Sequence, residues 1–347
     1  MSLRVVRLSA GSTFQDRGRP GWRRFGVPPG GAFDRSSYEL ALALLGRTDG
    51  TALEIPMLGG AFELLAPDVL AVTGAPCLVC INEEAVPSNS AFPVMEGDRL
   101  EIQTANLGAR TYLSSKGGWE TPNVLGSVSG CVPEVVMKSG ALIRTIEKVP
   151  VGDTEGSPVS RSGVTPGSPT ASIRQPGGVQ DASPDIFNER LKGDLSSRMR
   201  RLGFPPSSLQ NREIRFVLGP QARPSDLAAL GESPFRVSLA SNRVGLRLEG
   251  GEFEPYEERV SEPSCVGAIQ LAPSGELLVH GPDGPTVGGY PKIGVVIQAD
   301  HDRLGQLRPM EEVRFTRVSL DEARVLSKEH HERLMRTVAE VRWGARQ

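Results

Sequence analysis

A loop dominated by glycine and proline lies near the start of the chain and limits what this segment can form. Residues 18–31 contain five glycines and three prolines. Proline lacks a backbone donor and glycine loses the most entropy on ordering, so the stretch predicts neither a helix nor a central strand. The following residues predict an amphipathic helix over 34–45, with Asp34 as its N-cap and Gly46 at its C-terminal stop.

The same loop carries groups that suit an anion. It contains Arg19, and Gly30 and Gly31 lead into the N-terminus of the predicted helix. Free backbone N–H groups at a helix N-terminus favour negative charge, and a guanidinium adds to this effect. The pattern is therefore typical of an anion-binding loop. The alternative is a tight structural turn in which Asp34 serves only as a cap.

The composition limits the class of protein. The chain has 347 residues, enough for two modest domains, and its 40 glycines and 28 prolines indicate many turns and hence a β-rich fold. A net charge of −2, without a basic stripe interleaved with aromatic residues, argues against a nucleic-acid partner. The apolar runs are strand-sized, which predicts no signal peptide, no membrane partner and a cytoplasmic location.

Short apolar runs separated by turns predict two strand-rich regions. The predicted strands are 3–8, 52–55, 61–65, 69–73, 77–82 and 99–103 in the first region, and 213–218, 235–239, 245–249, 268–271, 277–280, 292–298 and 312–317 in the second. Many short strands with one helix favour closed barrels, and the two regions share a rhythm of strands and Gly-Gly turns that indicates duplication. A capping box, Ser319 with Glu322, begins a C-terminal helix.

The segment between the two regions differs in composition. Residues 150–182 are rich in Gly, Ser, Pro and Thr and nearly free of large apolar side chains, which predicts a disordered linker. A short helix is predicted over 186–202. The predicted domains are therefore a first barrel (1–149), a linker that includes the short helix (150–211), a second barrel (212–318) and a C-terminal helix (319–347).

The segment Gly288-Gly289-Tyr290-Pro291-Lys292 is the sharpest local candidate for a functional site. Its glycines let the backbone approach a ligand and its proline fixes the turn. A lysine held there can bind a carboxylate, carbonyl or phosphate oxygen. The alternative is a hairpin turn with a solvated lysine.

Two arginines precede this segment at a spacing that fits one face of a strand. Arg243 and Arg247 are four residues apart, so a strand in this position places both on the same surface. Two guanidinium groups on one surface need a carboxylate, which either a substrate or Glu249 supplies. Glu262 and Gln270 are lower-ranked candidates for that surface. An ordinary Arg–Glu ladder is the alternative.

No metal site is expected from the sequence. Asp300, His301 and Asp302 are consecutive, and neighbouring strand residues point to opposite faces, so they cannot all bind one ion. The sequence has no Gly-x-Ser-x-Gly elbow, no phosphate-loop Gly-Lys-Ser/Thr and no Gly-x-Gly-x-x-Gly motif. It therefore predicts neither a familiar activated nucleophile nor a nucleotide cradle.

Motifs from both regions occur in an order and spacing that resemble one protein family. The matching segments are 15–21, 52–55 and 72–75 in the first region, and 241–250, 261–263, 267–270, 286–293 and 299–300 in the second. Residues 3–130 and 212–318 thus resemble the biotin-dependent carboxyltransferase family that holds the C subunit of 5-oxoprolinase, allophanate hydrolase subunit 2-like proteins, the KipI antagonist and half of the urea carboxylase carboxyltransferase domain. The resemblance implies two tandem cyclophilin-like β-barrels. The expected fold is therefore mainly β, with a few helices and a C-terminal helix.

The resemblance implies a subunit of an ATP-dependent 5-oxoprolinase, which opens the cyclic amide of 5-oxo-L-proline to L-glutamate. ATP with Mg²⁺ would be shared with partner subunits, namely an allophanate hydrolase subunit 1-like protein (the B subunit of 5-oxoprolinase) and a LamB/YcsF-like protein (its A subunit). The candidate catalytic residues are then Lys292, Arg247 and Arg19. The candidate substrate-binding residues are Gly30, Gly31, Asp34, Arg243, Glu262, Gln270, Gly289 and Tyr290.

Two alternatives keep the same fold. One is biotin-dependent carboxyl transfer to a urea-like amide, with biotin on a separate carrier because this chain has no Met-Lys-Met carrier motif. The other is a non-catalytic regulatory subunit that binds a KipI-like partner. The segment after Ser127 favours the regulatory alternative, since residues 128–137 replace the Ser-Thr pair and the glycine- and arginine-rich loop usual in relatives.

Overall fold

The computed structural model describes residues 3–130, 140–146, 212–257 and 259–345. The predicted linker over 150–182 and the predicted helix over 186–202 lie outside these residues. The predicted domain boundaries at 149/150 and 211/212 lie outside them as well and stay predictions. Within the described residues the fold is mainly β with few helices, which confirms the predicted class.

The strands of the first half form two sheets. They are β1 (Leu3–Leu8), β2 (Thr13–Gln15), β3 (Ala52–Pro56), β4 (Gly60–Leu64), β5 (Asp68–Gly74), β6 (Val79–Ile81), β7 (Glu84–Val86), β8 (Ser90–Val94), β9 (Arg99–Ile102), β10 (Arg110–Ser115) and β11 (Leu142–Ile143). One sheet has the order β11-β1-β4-β9-β6-β7 and the other has the order β2-β3-β10-β5-β8. Both sheets contribute to one apolar core, which includes Phe14, Phe62, Leu113 and Trp119.

Seven of the nine strands described in the second half close into a barrel. The nine are β12 (Glu213–Leu218), β13 (Phe235–Val237), β14 (Gly245–Glu249), β15 (Glu262–Pro263), β16 (Ala268–Leu271), β17 (Leu277–His280), β18 (Val287–Gly288), β19 (Lys292–Val296) and β20 (Glu312–Arg317). The barrel order is β12-β19-β16-β17-β14-β13-β20, and a parallel pairing of β12 with β20 closes it. The other two strands, β15 and β18, pair as a separate two-stranded ribbon.

The barrel core follows from the alternation of its strands. On β14, Leu246 and Leu248 are buried while Arg247 between them is exposed. Because successive strand side chains point to opposite faces, this pattern directs the apolar side chains into the barrel. Phe33, which belongs to the first half, also lies in this core. The two halves are thus joined through the interior of the barrel.

Two of the four helices in the described ranges begin at the capping residues that the sequence predicts. The four are α1 (Arg35–Leu44), α2 (Pro224–Glu232), α3 (His301–Gln306) and α4 (Leu320–Gly344). Asp34 caps α1 by accepting the backbone N–H of Ser37, and Ser319 with Glu322 forms the predicted capping box of α4. The apolar stripe of α4, which includes Leu334, packs against α1. The C-terminal helix therefore returns to the first half.

A buried carboxylate lies where the two halves meet. Glu54 Oε1 accepts hydrogen bonds from Arg110 Nε at 3.0 Å and from Arg243 Nη1 of the second half at 2.7 Å. Its Oε2 accepts from the Phe33 backbone N–H and from the Tyr112 hydroxyl. Burial alone would raise the pKa of Glu54, but the charges of Arg243 and Arg110 outweigh burial and hold that pKa below its usual range. Glu54 is therefore ionised and fully bonded at this junction.

Arg243 extends the junction to two further groups. Its Nε and Nη2 donate to the two carboxylate oxygens of Asp283 at 2.8 and 3.0 Å, and Nη2 also donates to the Gly31 carbonyl. Gln306 of α3 crosses the junction as well, because its amide donates to the Arg110 carbonyl. Polar contacts as well as apolar packing thus set the orientation of the halves.

We expect Glu54→Gln to lower the free energy of unfolding by about 3–5 kcal/mol, because it leaves two buried guanidinium groups without their shared carboxylate. Urea-induced unfolding measures this change. Glu63→Gln is the matched control, since Glu63 pairs with Arg4 at the surface and contributes less than about 1 kcal/mol. A loss for Glu54→Gln as small as that of the control would mean that the junction does not stabilise the fold.

Candidate functional site

The glycine-rich loop folds back on itself and contacts the second half. The Arg19 N–H donates to the Pro29 carbonyl, and the Gly30 N–H donates to the Pro282 carbonyl. Gly30 has a φ of 62°, and a Cβ at this position would overlap Ser129 Oγ. Only glycine fits this turn, because other residues meet both a backbone and a steric penalty.

Arg19 lies inside the loop and is almost fully buried. Its guanidinium donates to the backbone carbonyls of Val124, Ser127 and Ser129. It therefore holds the segment after residue 124 against the loop, and its catalytic role stays a prediction. The Gly31 N–H donates to Ser129 Oγ, so this loop N–H already has an acceptor within the protein.

Asp34 is buried at the start of α1. Its carboxylate accepts hydrogen bonds from Ser37 and from the Gln306 amide. Burial, together with the nearby Asp302 carboxylate, raises the pKa of Asp34 to about 7. The contacts of Asp34 are those of a cap and of a bridge to α3, and its role in substrate binding stays a prediction.

A cavity of about 340 Å³ lies between the glycine-rich loop and α4. Gly30 and Gly31 line one side of it, and Asp302 and His330 line the other. His330 Nε2 lies 3.3 Å from Asp302 Oδ2, which ties α4 to α3. The two predicted loop glycines thus face a cleft between the halves.

Arg243 and Arg247 do not share a surface, contrary to the sequence-based prediction. Arg243 precedes β14 and reaches the buried junction at Glu54. Arg247 lies on the solvent-facing side of β14, where it pairs with Glu276 at 2.9 Å. The prediction was wrong because the strand begins at Gly245, so the alternation of strand side chains does not extend to Arg243.

Lys292 lies at the start of β19, beside the β15–β18 ribbon. Its Nζ pairs with Glu262 Oε2 at 3.1 Å, which brings two of the predicted residues together. The Gln221 side chain bonds to both, because its Oε1 accepts the Lys292 backbone N–H and its Nε2 donates to Glu262. The Lys292 side chain is 12% exposed and that of Glu262 is 46% exposed. The ammonium therefore lies just below the surface, behind one half-exposed carboxylate.

A line of buried hydrogen bonds runs from the ribbon into the barrel. Gln270 donates through Nε2 to the Tyr290 carbonyl at 3.1 Å, and its Oε1 lies 2.8 Å from His280 Nε2. On the other side of the ring, His280 Nδ1 lies 2.9 Å from Ser264 Oγ. Since an amide oxygen only accepts, the His280 proton is on Nε2, and Nδ1 accepts from the Ser264 hydroxyl. The contact with Gln270 therefore fixes the Nε2–H tautomer of the neutral imidazole.

Arg23 brings a second positive charge to this place from the first half. It lies in a short 3-10 helix, Arg23–Phe25, within the glycine-rich loop. Its Nη2 donates to the carbonyls of Ser264 at 2.5 Å and of Pro285 at 3.1 Å. Its Nη1 is buried and has no hydrogen-bond partner among the residues that the structure describes. A buried donor without a partner is costly, so an acceptor at this atom would be favourable.

The two positive charges act on the same neighbours. Burial, together with the charges of Arg23 and Lys292, lowers the pKa of His280 to about 4. Partial burial raises the pKa of the Cys265 thiol, and the same two charges oppose that rise. Such a concentration of positive charge can stabilise an anion or a polarised carbonyl oxygen. We call this group the cationic site; its members are Arg23, Glu262, Gln270, His280 and Lys292.

Gly289 and Tyr290 line a cavity that adjoins the cationic site. The cavity measures about 340 Å³, and residues 253–257, Arg259, residues 271–275 and Pro291 form its other walls. A Cβ at Gly289 would lie 3.1 Å from the Arg259 carbonyl oxygen, so the absence of a side chain lets the two segments approach closely. These two predicted residues therefore shape a cleft of ligand size next to the cationic site.

The structure groups the sequence-predicted residues in two places. Around the ribbon lie Glu262, Gln270, Gly289, Tyr290 and Lys292. At the glycine-rich loop and the junction lie Arg19, Gly30, Gly31, Asp34 and Arg243. Arg247 belongs to neither group.

Four residues in and around the cationic site were not predicted from the sequence: Arg23, Gln221, Ser264 and His280. Arg23 had a signal, because it lies in the glycine-rich loop. His280 also had one, because it is a titratable residue at the end of an otherwise apolar strand. Gln221 and Ser264 had none, since they act through contacts between distant segments.

In residues 3–130, 140–146, 212–257 and 259–345, no group of three or more His, Cys, Asp or Glu side chains is arranged to hold a metal ion. Asp300 pairs instead with Arg215 and Arg303. None of the helices in these ranges has both the length and the apolar character that crossing a membrane requires.

We expect the loss of either cation of the cationic site to raise the pKa of His280. Arg23→Met and Lys292→Met each remove a positive charge that disfavours the imidazolium, so protonation becomes easier. NMR titration of the ring protons measures this pKa, and with four histidines in the chain the signals can be assigned by single substitutions. Arg236→Met is the control, because Arg236 is an exposed partner of Glu249. An unchanged His280 pKa in both variants would contradict this electrostatic explanation.

Known proteins share this architecture. A family model described as "Carboxyltransferase domain, subdomain A and B" matches residues 25–317. The C subunit of 5-oxoprolinase from Escherichia coli (strain K12) is 27% identical over 328 residues, which make up 92% of this chain and 93% of that protein. A solved structure of TTHA0988 is 27% identical with a TM-score of 0.70, and the match covers 91% of this chain and 55% of that one.

A larger enzyme shares the fold as well. The structure of Kluyveromyces lactis urea carboxylase has a TM-score of 0.75 at 24% identity, over 97% of this chain and 29% of that one. This chain thus spans most of the bacterial subunit but about half of the TTHA0988 chain and under a third of the urea carboxylase chain. The resemblance predicted from the motifs is confirmed by the family match over residues 25–317, and the chain belongs to the carboxyltransferase domain, subdomain A and B, family.

Proposed function

We propose that this chain is a subunit of an ATP-dependent 5-oxoprolinase complex that converts 5-oxo-L-proline to L-glutamate. The observation that carries the proposal is the pair between the nearly buried Lys292 and the half-exposed Glu262. The half-exposed Glu262 carboxylate can turn toward solvent while the Lys292 ammonium stays in place. The ammonium is then free to bind a substrate oxygen. The similarity to the C subunit of 5-oxoprolinase over 93% of that protein supports this choice of substrate.

Lys292 has a defined task in this reaction. Opening a lactam passes through a state in which the amide carbonyl oxygen gains negative charge. We propose that the Lys292 ammonium faces this oxygen, since a positioned cation in a water-poor site stabilises developing charge strongly. Gln221 and Glu262 hold the lysine in place before the substrate enters, which reduces the reorganisation needed at the moment of reaction.

ATP and Mg²⁺ are the proposed cofactors, and partner subunits would share in holding them. ATP supplies the phosphoryl group that makes the carbonyl carbon reactive. The Lys292 ammonium suits a phosphoryl oxygen of ATP. Its ion-pair partner Glu262 is half-exposed, so the ammonium can contact a phosphate oxygen as well as a carbonyl oxygen. The proposed partners are an allophanate hydrolase subunit 1-like protein (the B subunit of 5-oxoprolinase) and a LamB/YcsF-like protein (its A subunit), in a cytoplasmic complex.

The family description supports a second function. The term "Carboxyltransferase domain" favours carboxyl transfer, and relatives named urea amidolyase suggest a urea-like amide as the acceptor. We propose biotin on a separate carrier as the carboxyl donor in this case. In that reaction the same Lys292 ammonium would stabilise charge on the amide oxygen or on the transferred carboxyl group.

The test uses this chain co-expressed with the two proposed partners. Glutamate release from 5-oxoproline and ATP hydrolysis are measured with and without this chain. Turnover that requires this chain would support the proposed function. Carboxylation of urea with a biotinylated carrier, without glutamate release, would favour the second function. A stable complex with neither activity would favour a regulatory subunit that binds a KipI-like partner.

Within the active complex, we expect Lys292→Met to lower kcat about 100-fold or more, because it removes a donor that acts on the transition state. Steady-state glutamate release measures kcat. Arg236→Met keeps near-normal kcat, because Arg236 forms an exposed ion pair on the same barrel. A near-normal kcat for Lys292→Met would remove this lysine from the reaction.

A further inference from the structure

We propose that Arg23 of the first half, with Lys292 of the second half close by, forms a binding site for a small planar oxyanion of the carboxylate class. This proposal rests on the proposed function in one respect: 5-oxoproline, which carries a carboxylate, is taken as the natural ligand. The binding site follows from the contacts of Arg23 and from the balance of charge around it.

The Arg23 guanidinium is anchored through one of its two ends. Its Nη2 donates to the carbonyls of Ser264 and Pro285. Ser264 directly follows β15 and Pro285 shortly precedes β18, so the guanidinium is fixed relative to the ribbon. Its Nη1 is buried, with no acceptor in the part of the chain that the structure describes. A carboxylate oxygen placed there would accept a charge-assisted hydrogen bond from a donor that is already oriented.

Two titratable side chains near Arg23, His280 and Glu262, already have partners of their own, and the free thiol of Cys265 is a third titratable neighbour. His280 is a titratable neighbour in this network, but both of its ring nitrogens are engaged, one by Ser264 and the other by Gln270. The carboxylate of Glu262 is engaged by Lys292 and by Gln221. A ligand from outside the chain therefore fits the Nη1 donor of Arg23.

The balance of charge defines the class of ligand. Arg23 and Lys292 both act on His280, whereas Glu262 is the carboxylate that pairs with one of these two cations. Arg259 also acts on Glu262, but it is exposed and solvent screens its charge. Within the described members of the cationic site, two positive charges therefore stand against one negative charge. A monoanion such as a carboxylate neutralises the difference, and a phosphate dianion would leave an excess of negative charge.

The site needs both halves of the chain. Arg23 comes from the glycine-rich loop, while the other members of the cationic site come from the barrel and the ribbon. The Gly30 N–H bond to the Pro282 carbonyl and the Arg243 bond to the Gly31 carbonyl hold that loop against the second half. The loop thus contributes to binding by placing Arg23, whereas the N–H groups of Gly30 and Gly31 bond to acceptors within the protein.

The test uses the isolated full-length chain at pH 7, without partners. It is titrated with 5-oxoproline, acetate, bicarbonate and inorganic phosphate, and with 2-pyrrolidone, which is the same lactam without the carboxylate. Calorimetry gives the affinity, and the NMR signals of His280 report the charge nearby. We expect saturable carboxylate binding that raises the His280 pKa, because an anion cancels the effect of the two cations. We expect 2-pyrrolidone to leave that pKa unchanged.

Substitutions then assign the binding to Arg23. Arg23→Met weakens carboxylate affinity about 10-fold or more, since it removes a charge-assisted hydrogen bond. Arg23→Lys keeps the positive charge but loses the planar pair of guanidinium donors. We expect this variant to bind carboxylate, with lower affinity than the unmodified chain. Arg236→Met, at the exposed pair with Glu249, binds as the unmodified chain does. Far-ultraviolet circular dichroism and urea unfolding confirm that each variant is folded.

Three results would overturn the proposal. They are equal responses to carboxylates and to 2-pyrrolidone, unchanged acetate affinity in both folded Arg23 variants, and phosphate binding about 10-fold or more tighter than acetate. Binding of bicarbonate but not of 5-oxoproline would support the oxyanion site and contradict 5-oxoproline as its source. Absence of turnover in the co-expressed complex would bear on the proposed function alone, because binding is measured on this chain without its partners.

Discussion

Glu54 is a carboxylate buried where the two halves of the chain meet, and both halves donate hydrogen bonds to it. Arg110 approaches it from the first half and Arg243 from the segment before β14, while the Phe33 N–H donates to it from the loop. Phe33 in turn places its ring in the core of the barrel. Because a charge this deep cannot rely on water, the groups around it have to keep their places. The junction thus fixes how the glycine-rich loop lies on the second half.

The position of that loop explains why Arg23 reaches the ribbon. Arg19 bonds to backbone carbonyls in 124–129, and Gly30 and Gly31 bond to Pro282 and Ser129. These groups have acceptors within the protein, so the loop acts as a rigid support. Arg23 differs, because one of its nitrogens is buried and has no partner in the described ranges. Segment 128–130, where the sequence departs from its relatives, takes part in holding the loop through Ser129.

Much of the fold could be predicted from local sequence. The strands at 213–218, 245–249, 268–271, 277–280 and 312–317 begin and end where periodicity placed them. The cap at Asp34 and the capping box at Ser319 are also correct, since a cap depends on residues within one turn. Strand β10 was missed although it is central, because Arg110, Ser114 and Ser115 are buried alongside its apolar residues and remove any alternation. The prediction that Arg243 and Arg247 share one face was wrong, because β14 begins at Gly245 and does not include Arg243.

By itself, the sequence determined the mainly β class, the caps of α1 and α4, and the family, and it singled out Lys292, Glu262 and Gln270, whose roles stay predictions. These depend on periodicity, on residues one turn apart and on the order of motifs along the chain. Only the tertiary structure decided that Arg23 reaches the Ser264 carbonyl and acts on His280 together with Lys292, that Arg243 belongs to a buried junction, and that the pKa of His280 is lowered to about 4. The physical reason is that charge balance and burial depend on which distant segments pack together, and that packing follows from the closed barrel and the junction at Glu54.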